Sequence, residues 1–461
     1  MGDKNLDIEK KLINFIVDTE FDDLPQKPVD VVKTIVFTIM GSVIAGATVE
    51  GCQNLIDLVN EWDGKPEATI LIHGGKVTGH NAALANGTMA RALDYEDAIL
   101  PGLHMGPVAV PAALAAAEMA GGCTGRGFLT SLVVGIEIAN RINTINLKAF
   151  YGGFKGTGVC SIFASTAAAG KILGLNSTQM FNALGLAINR AGGSGQSNID
   201  GAQAVYLVAG FAAQSGIICS KMAEKGITGP KNFLEGPFGW FNMFGRGKLD
   251  TQVMVGELGT RFELNNTLFK KFPSCGVTQT STQGILELIK EKGITPANVQ
   301  RIDIRVGPFA YQATGHFEIG DSPRTNAQFS IPYCVANALL RGSSRLQHFE
   351  ETYIRDPKIL DIVKKIHVTP DPEIEKRDQR AMEMDVKTAA GATYHKRIDT
   401  PKGSPGNEMT KEEHIERFRD CVDYGKKSLS PQKVERIITM IDQLEQLEDV
   451  RDLIPLMLKK Q

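Results

Sequence analysis

The apolar pattern of this chain changes its period once, near residue 265, and that change limits the folds open to it. Before that point the pattern is helical. Phe128, Leu132, Ile136 and Ala139 recur at helical spacing, and Glu137 and Arg141 form an i, i+4 pair in the favourable order. Asn176-Ser-Thr-Gln179 ahead of Phe181, Leu184, Leu186 and Ile188 reads as an N-cap opening another amphipathic helix. Runs of small residues, at 112–117 and 164–170, let helices approach closely. A compact helical bundle is expected here, not a doubly wound sheet. After the change, 301–306 alternates polar and apolar residues, as a half-buried strand does. Residues 382–386 and 393–398 read as a hairpin turning at Ala390-Gly391, and 366–368 as a further strand ended by Pro370 and Pro372. Helical stretches fall near 277–292 and 333–341. Pro401 to Asn407, rich in Gly, Pro and Ser, reads as a linker, and helix resumes from Lys411. The expected fold class is a mainly α-helical large domain plus a smaller inserted α+β domain. The helical domain would comprise 1–265 and 405–461, and the α+β domain 266–404.

Length and composition agree with two domains. The chain has 461 residues, 43% of them hydrophobic and 22% charged, enough for a sizeable core. Its formal charge of −2 and its lack of a basic stripe argue against a nucleic-acid partner. The N-terminal residues alternate charged and apolar types, without the apolar run of a secretory signal. Gly2 invites myristoylation, but Leu6 stands where that signal needs Ser or Thr. The most apolar run, Val108 to Ala117, is too short for a membrane span, so no membrane association is expected. Seven scattered cysteines without a Cys-x-x-Cys pair argue against a disulfide framework or a zinc ribbon, and fit a reducing cytoplasm. No metal-ligand cluster of recognised spacing occurs.

Standard catalytic motifs are absent: there is no Walker A loop, His-Glu-x-x-His, Gly-x-Ser-x-Gly or dinucleotide-binding fingerprint. Gly192-Gly-Ser-Gly195 reads as a loop between helices. The informative stretch is Asn86-Gly-Thr-Met-Ala-Arg-Ala-Leu-Asp-Tyr-Glu-Asp97, followed by His104-Met-Gly-Pro107. A helix of small residues ends in three acids, and a histidine precedes a Pro that can open the next helix. The bland reading makes Asp94, Glu96 and Asp97 capping charges and His104 a loop residue. The functional reading lets His104 share a substrate carboxylate with the free N–H groups of that next helix.

These residues resemble the MmgE/PrpD family, whose pattern runs Ala-Asn-Gly, then Ala-Leu-Asp-Phe-Asp-Asp-Thr, then His-Pro. The resemblance continues through Ala167 to Leu175, Gly229-Pro230, Leu234-Glu-Gly236, Phe269-Lys-Lys-Phe-Pro273, Phe329-Ser-Ile-Pro-Tyr333, Pro401 to Pro405 and Phe418-Arg-Asp-Cys421. It covers nearly the whole chain in order. It implies a helical domain with an inserted α+β domain, an active site in the cleft between them, a homodimer, and no metal or organic cofactor. It also implies a small carboxylate substrate. By motif it places Asp94, His104, Lys270 and Tyr333 at catalytic positions, with Lys155, Thr157, Lys271 and Ser274 as substrate-binding candidates.

That set is chemically coherent. Removing a proton beside a carboxylate builds negative charge on it, so the site needs a base and preorganised cations. His104 and Lys270 can supply these, Tyr333 can relay a proton, and Asp94 can orient His104. Tyr333 can equally be a buried aromatic with a satisfied hydroxyl, and Lys270 a solvated charge beside Lys271. The chain departs from the family pattern at three places. Ala98 replaces a Thr, Lys155 replaces the His of Gly-Phe-His-x-Thr, and Val205 replaces a Lys. The expected activity is that of a dehydratase or decarboxylase for a small di- or tricarboxylate. An epimerase of a small dicarboxylate is the alternative, and a non-catalytic homologue keeping the fold and the dimer is a second.

Overall fold

The computed structural model describes residues 7–100, 102–144, 152–246, 250–426 and 429–459. Its first core is helical. Helices α1 (Gln26–Gly46), α2 (Gly79–Arg91), α3 (Gly106–Met119), α4 (Gly125–Thr144), α5 (Ser161–Ile172) and α6 (Ala204–Glu224) pack against one another through small side chains. The closeness is specific. A Cβ on Gly210 of α6 would lie 2.6 Å from the Leu84 carbonyl of α2, and one on Gly216 would lie 2.4 Å from Ser165 Oγ of α5. The expected cap at Asn176 forms, with Asn176 and Gln179 each accepting the other's backbone N–H.

Two helices revise the expectation that no segment is long enough for a membrane span. Both α1 and α6 have 21 residues and the apolar content to cross a membrane. Most of each is buried among neighbouring helices, and core helices of a folded domain carry the same composition. The Glu137–Arg141 pair expected from its i, i+4 spacing forms, and it lies in the interior. Both side chains are fully buried, 2.6 Å apart. Arg141 donates to the carbonyls of Val253, Met254, Gly256 and Arg261, while Glu137 accepts from the N–H groups of Glu263 and Leu264. The pair thus pins the segment leading into the second half of the chain.

The second core is built on a four-stranded sheet of β3 (Val299–Val306), β4 (Ile366–Pro370), β5 (Met382–Thr388) and β6 (Thr393–Ile398); two short strands before it, β1 (Asp97–Ala98) and β2 (Leu268–Phe269), belong to the site. The sheet order is β4-β3-β5-β6, parallel between β3 and β4 and antiparallel elsewhere. Ile302, Ile304 and Val306 share one face with Met382, Met384 and Val386, and all six are buried. Against that face lie α7 (Gln279–Lys292) and α8 (Ile331–Arg341).

The tail helices α9 (Lys411–Tyr424) and α10 (Pro431–Asp442) pack back on α1. Phe418, Cys421, Val434 and Ile437 lie in the first core, and the ring of Phe418 stacks on Phe37 at 4.6 Å. The 401–407 segment is tighter than a linker. Phe269 N–H donates to the Gly403 carbonyl at 2.9 Å, and a Cβ on Gly403, at φ +93°, would lie 2.0 Å from the Phe269 carbonyl. Pro, Gly and Ser there serve close packing over β2, not slack.

Candidate active site

The site forms where the two cores meet. Strands β1 and β2 pair antiparallel, Asp97 with Phe269 and Ala98 with Leu268. That short ladder places Lys270 beside the loop that follows α2. Asp94 adopts φ +52°, a left-handed conformation that Asp tolerates better than most residues. The chain therefore turns sharply after α2. Gln328 fastens the turn, donating through Nε2 to the carbonyls of Leu93 and Pro273.

Lys270 is fully buried, and its ammonium has three donors. Its partners are the Asp94 carbonyl at 2.9 Å, Asp94 Oδ1 at 3.0 Å and Glu96 Oε1 at 3.2 Å. Arg91, at the end of α2, reaches Asp94 Oδ1 at 2.6 Å and Glu96 Oε1 at 3.2 Å. Two buried cations thus face two buried carboxylates. Burial alone would raise the pKa of Asp94, but Lys270 and Arg91 hold it below its usual value. Glu96 is likewise depressed: burial opposes its charge, and Arg91, Lys270 and His104 outweigh that. One oxygen of each carboxylate, Asp94 Oδ2 and Glu96 Oε2, has no hydrogen-bond partner.

His104 lies on the rim of this cluster, half-buried. Its Nδ1 is 2.8 Å from Glu96 Oε1 and 2.9 Å from the Asp97 carbonyl. Both atoms are acceptors, so Nδ1 carries the proton and Nε2 keeps its lone pair. Burial, then the Arg91 charge, push the imidazole pKa down to about 4, against the pull of Glu96. His104 is therefore neutral at pH 7, a base with its lone pair at Nε2, 3.5 Å from Arg91 NH2. The carboxylate that orients it is Glu96. This corrects the expectation that Asp94 would, because the left-handed turn at Asp94 directs its carboxylate toward Lys270.

The N-terminus of α3 is also not open to a substrate. Asp97 accepts from the N–H groups of Met105 at 3.2 Å and Gly106 at 3.1 Å, so capping, the bland reading of the acids, holds for Asp97. Its own pKa is raised to about 6, chiefly by burial. Beside His104 runs the segment Lys155–Thr157. Thr157 Oγ1 accepts from the His104 N–H at 3.3 Å. The Gly192–Gly195 loop, joining helices as expected, pairs with this segment through Lys155 N–H to the Gly193 carbonyl at 3.0 Å.

Residues 10–252 match the MmgE/PrpD N-terminal domain, and residues 272–446 match the MmgE/PrpD C-terminal domain. The chain belongs to the MmgE/PrpD family. Among its relatives, cis-aconitate decarboxylase from Homo sapiens is 26% identical over 374 residues, covering 79% of this chain and 76% of the relative. The Mus musculus protein of the same name is 25% identical, with 79% and 75% covered. Cis-aconitate decarboxylase from Aspergillus terreus is 22% identical over 453 residues, with 92% and 91% covered. These likenesses place the chain beside lyases of the MmgE/PrpD family.

Of the residues that the MmgE/PrpD motifs point to, the structure brings Asp94, His104 and Lys270 together and sets Thr157 against the His104 backbone. Tyr333 is elsewhere. It is buried in the second core between Phe317 and Phe349, and its hydroxyl donates to the His348 carbonyl. That is the satisfied aromatic, not a proton relay at this cluster. Lys271 points away, pairing with Glu413 at 2.7 Å. Ser274 is buried and shares a hydrogen bond with Thr278 Oγ1 at 2.7 Å, shaping the turn after Lys270. Neither faces His104 in this arrangement. Arg91, Glu96 and Gln328 were missed as site residues. An Arg closing a small-residue helix just before three acids was the available signal for Arg91.

Asp94, Glu96 and His104 each offer a ligand atom, all within 4.8 Å of one another, although their sequence spacing suggests no metal motif. Arg91 and Lys270 already neutralise both carboxylates there. A dication would meet two buried positive charges, so the donor set suits the ion-pair network better than a metal.

Proposed function

We propose that the chain is a cofactor-independent lyase that acts by acid–base chemistry at the carbon beside a carboxylate of a small polycarboxylate. The observation that carries this reading is His104 itself: a neutral imidazole with Nδ1–H held by Glu96, and an unprotonated Nε2 that accepts only a long contact from Arg91 NH2 at 3.5 Å. The arrangement is the one by which a buried carboxylate fixes the tautomer of a catalytic histidine. Proton removal at the carbon leaves an electron pair that delocalises into the adjacent carboxylate, and neighbouring cations stabilise that charge. In a dehydration the pair then expels hydroxide, which takes the proton back from the imidazolium and leaves as water. In a decarboxylation the same kind of carbanion arises as carbon dioxide departs, and the proton moves the other way, from imidazolium to carbon. A bound anion favours that imidazolium by raising the His104 pKa. The relatives named as decarboxylases support the lyase reading. The C-terminal helices packed on α1 support an inserted second domain.

The test is incubation with cis-aconitate and 2-methylcitrate in deuterated water, followed by NMR and ultraviolet absorbance. A lyase yields carbon dioxide with a deuterated product, or a new alkene. Turnover of neither acid, nor of smaller di- and hydroxy-acids, counts against the proposal. The same assay after exhaustive chelation is expected to keep its full rate. A loss restored by one divalent ion would move Asp94, Glu96 and His104 into a metal role.

A further inference from the structure

We infer that Arg417 is a positioning residue for the cluster around His104: from α9 it holds Tyr95, and through Tyr95 the Asp94–Glu96 turn that aims Glu96 at the imidazole. This rests on the acid–base reading of His104 above, and extends it to a side chain outside the reacting groups.

Helix α9 meets the two segments that form the cluster at three points. Glu413 pairs with Lys271 Nζ at 2.7 Å, and the ring of His414 meets that of Phe269 edge-on at 5.4 Å. The Arg417 guanidinium lies 4.2 Å from the centre of the Tyr95 ring. Phe269 and Lys271 flank Lys270, and Tyr95 stands between Asp94 and Glu96. The residues gripped by α9 are thus chain neighbours of those in the buried ion-pair network. The Tyr95 hydroxyl ties the two segments together, donating to the Lys271 carbonyl at 3.1 Å.

Of these contacts, that of Arg417 is the one shielded from water on both sides. The Glu413–Lys271 pair is part-exposed and contributes little. Arg417 and Tyr95 are both buried. NH1 of Arg417 donates to Thr38 Oγ1 of α1 at 3.1 Å, while Nε and NH2 have no hydrogen-bond partner among the described residues. Two unmatched buried donors cost stability, so stability alone would favour an apolar side chain here. What the guanidinium adds is attraction for the face of the ring, which is stronger where water is excluded. That contact fixes the ring, and the ring belongs to a turn in which Asp94 stands at φ +52°. Gln328 fastens the turn at Leu93, and Tyr95 is the hold on its far side. Glu96 comes next in the chain, and its 2.8 Å contact with Nδ1 sets the tautomer of His104. A displaced ring therefore reaches the imidazole through a single residue.

Arg417→Gln tests this, since the amide still reaches toward Thr38 but carries no charge for the ring. Two readings are taken on the full chain: nitrogen-15 NMR of the His104 ring, and steady-state kinetics on whichever acid the parent turns over. The Nδ1 proton signal is expected to move as its hydrogen bond weakens. The kcat should fall by about tenfold, less than the roughly hundredfold cost of misplacing a reacting group by about 1 Å, with KM within about threefold of the parent. Arg417→Lys, which keeps a cation for the ring, should recover much of both. Tyr95→Leu cuts the same link from the other side and should move the same signal. The double variant should be no slower than the slower single one. A His104 signal unmoved in either single variant would overturn the inference even if kcat fell, because the effect would not pass through Glu96. So would losses in kcat that multiply in the double variant. A moved His104 signal in a protein whose parent turns over no candidate acid would instead count against the lyase reading alone.

Discussion

His104→Ala is expected to lower turnover by about a hundredfold or more, the usual scale for loss of a general acid or base, while leaving the fold intact. The side chain sits on the rim of the cluster, and the buried pairs of Arg91 and Lys270 with Asp94 and Glu96 do not need it. The loss should fall on kcat, because His104 is neutral and offers an incoming anion little binding energy. Glu96→Gln should act on the same step through the imidazole, as an amide can accept from Nδ1–H without supplying the charge that stabilises imidazolium. Steady-state kinetics on whichever acid is turned over checks both. Near-normal turnover in His104→Ala would transfer the proton role to Lys155, whose segment lies against His104 through Thr157.

Lys270→Met is expected to destabilise the protein by about 3–5 kcal/mol, the cost of leaving a buried ion pair with one partner. Asp94 and Glu96 would keep only Arg91 between them, and the Asp94 carbonyl would lose its donor. Adding Asp94→Asn should recover part of the loss, since it removes the charge left without a partner. The pH dependence has a definite sign. Both carboxyls are depressed in the folded protein, so their contribution to stability is fully present above their unfolded values of about 4. It is lost as the pH falls through the lower folded values. Removing Lys270 raises those folded values, so acid unfolding should begin at higher pH in Lys270→Met. Denaturant unfolding at pH 7 and at pH 5 measures both effects. A variant as stable as the parent at both pH values would mean that Lys270 is not the brace described here.

Much of the fold was legible from period and punctuation. The change near 265 separates the helical core from the sheet, the β5–β6 hairpin turns at Gly391 with φ +86°, and Asn176 caps its helix. What escaped the sequence was burial. The spacing of Glu137 and Arg141 reports adjacency on a helix and not that both are sealed inside the protein. Likewise Pro401 to Asn407 has a linker's composition, although its glycine is there for contact with Phe269. At the site, motif order located Asp94, His104 and Lys270 but not their partners. Pairing His104 with Glu96 depends on a left-handed backbone at Asp94, and the capping of α3 by Asp97 depends on the length of the intervening loop. Residue type offers all three acids as caps and does not say that Asp97 is the one that reaches α3. Tyr333 illustrates the converse, a motif residue whose hydroxyl is used by a carbonyl fifteen positions away.

The central claim is the protonation state of one imidazole, and nitrogen-15 NMR of histidine-labelled protein reads it directly. Of the eight histidines, His104 is assigned by the signal lost in His104→Ala. The account predicts a neutral ring at pH 7, protonated at Nδ1 and bare at Nε2, that titrates near pH 4. In Glu96→Gln the Nδ1 proton should lose the shift of a strong hydrogen bond. An imidazolium at pH 7, or a ring protonated at Nε2 with Nδ1 bare, would contradict the account, because neither leaves a base facing the substrate.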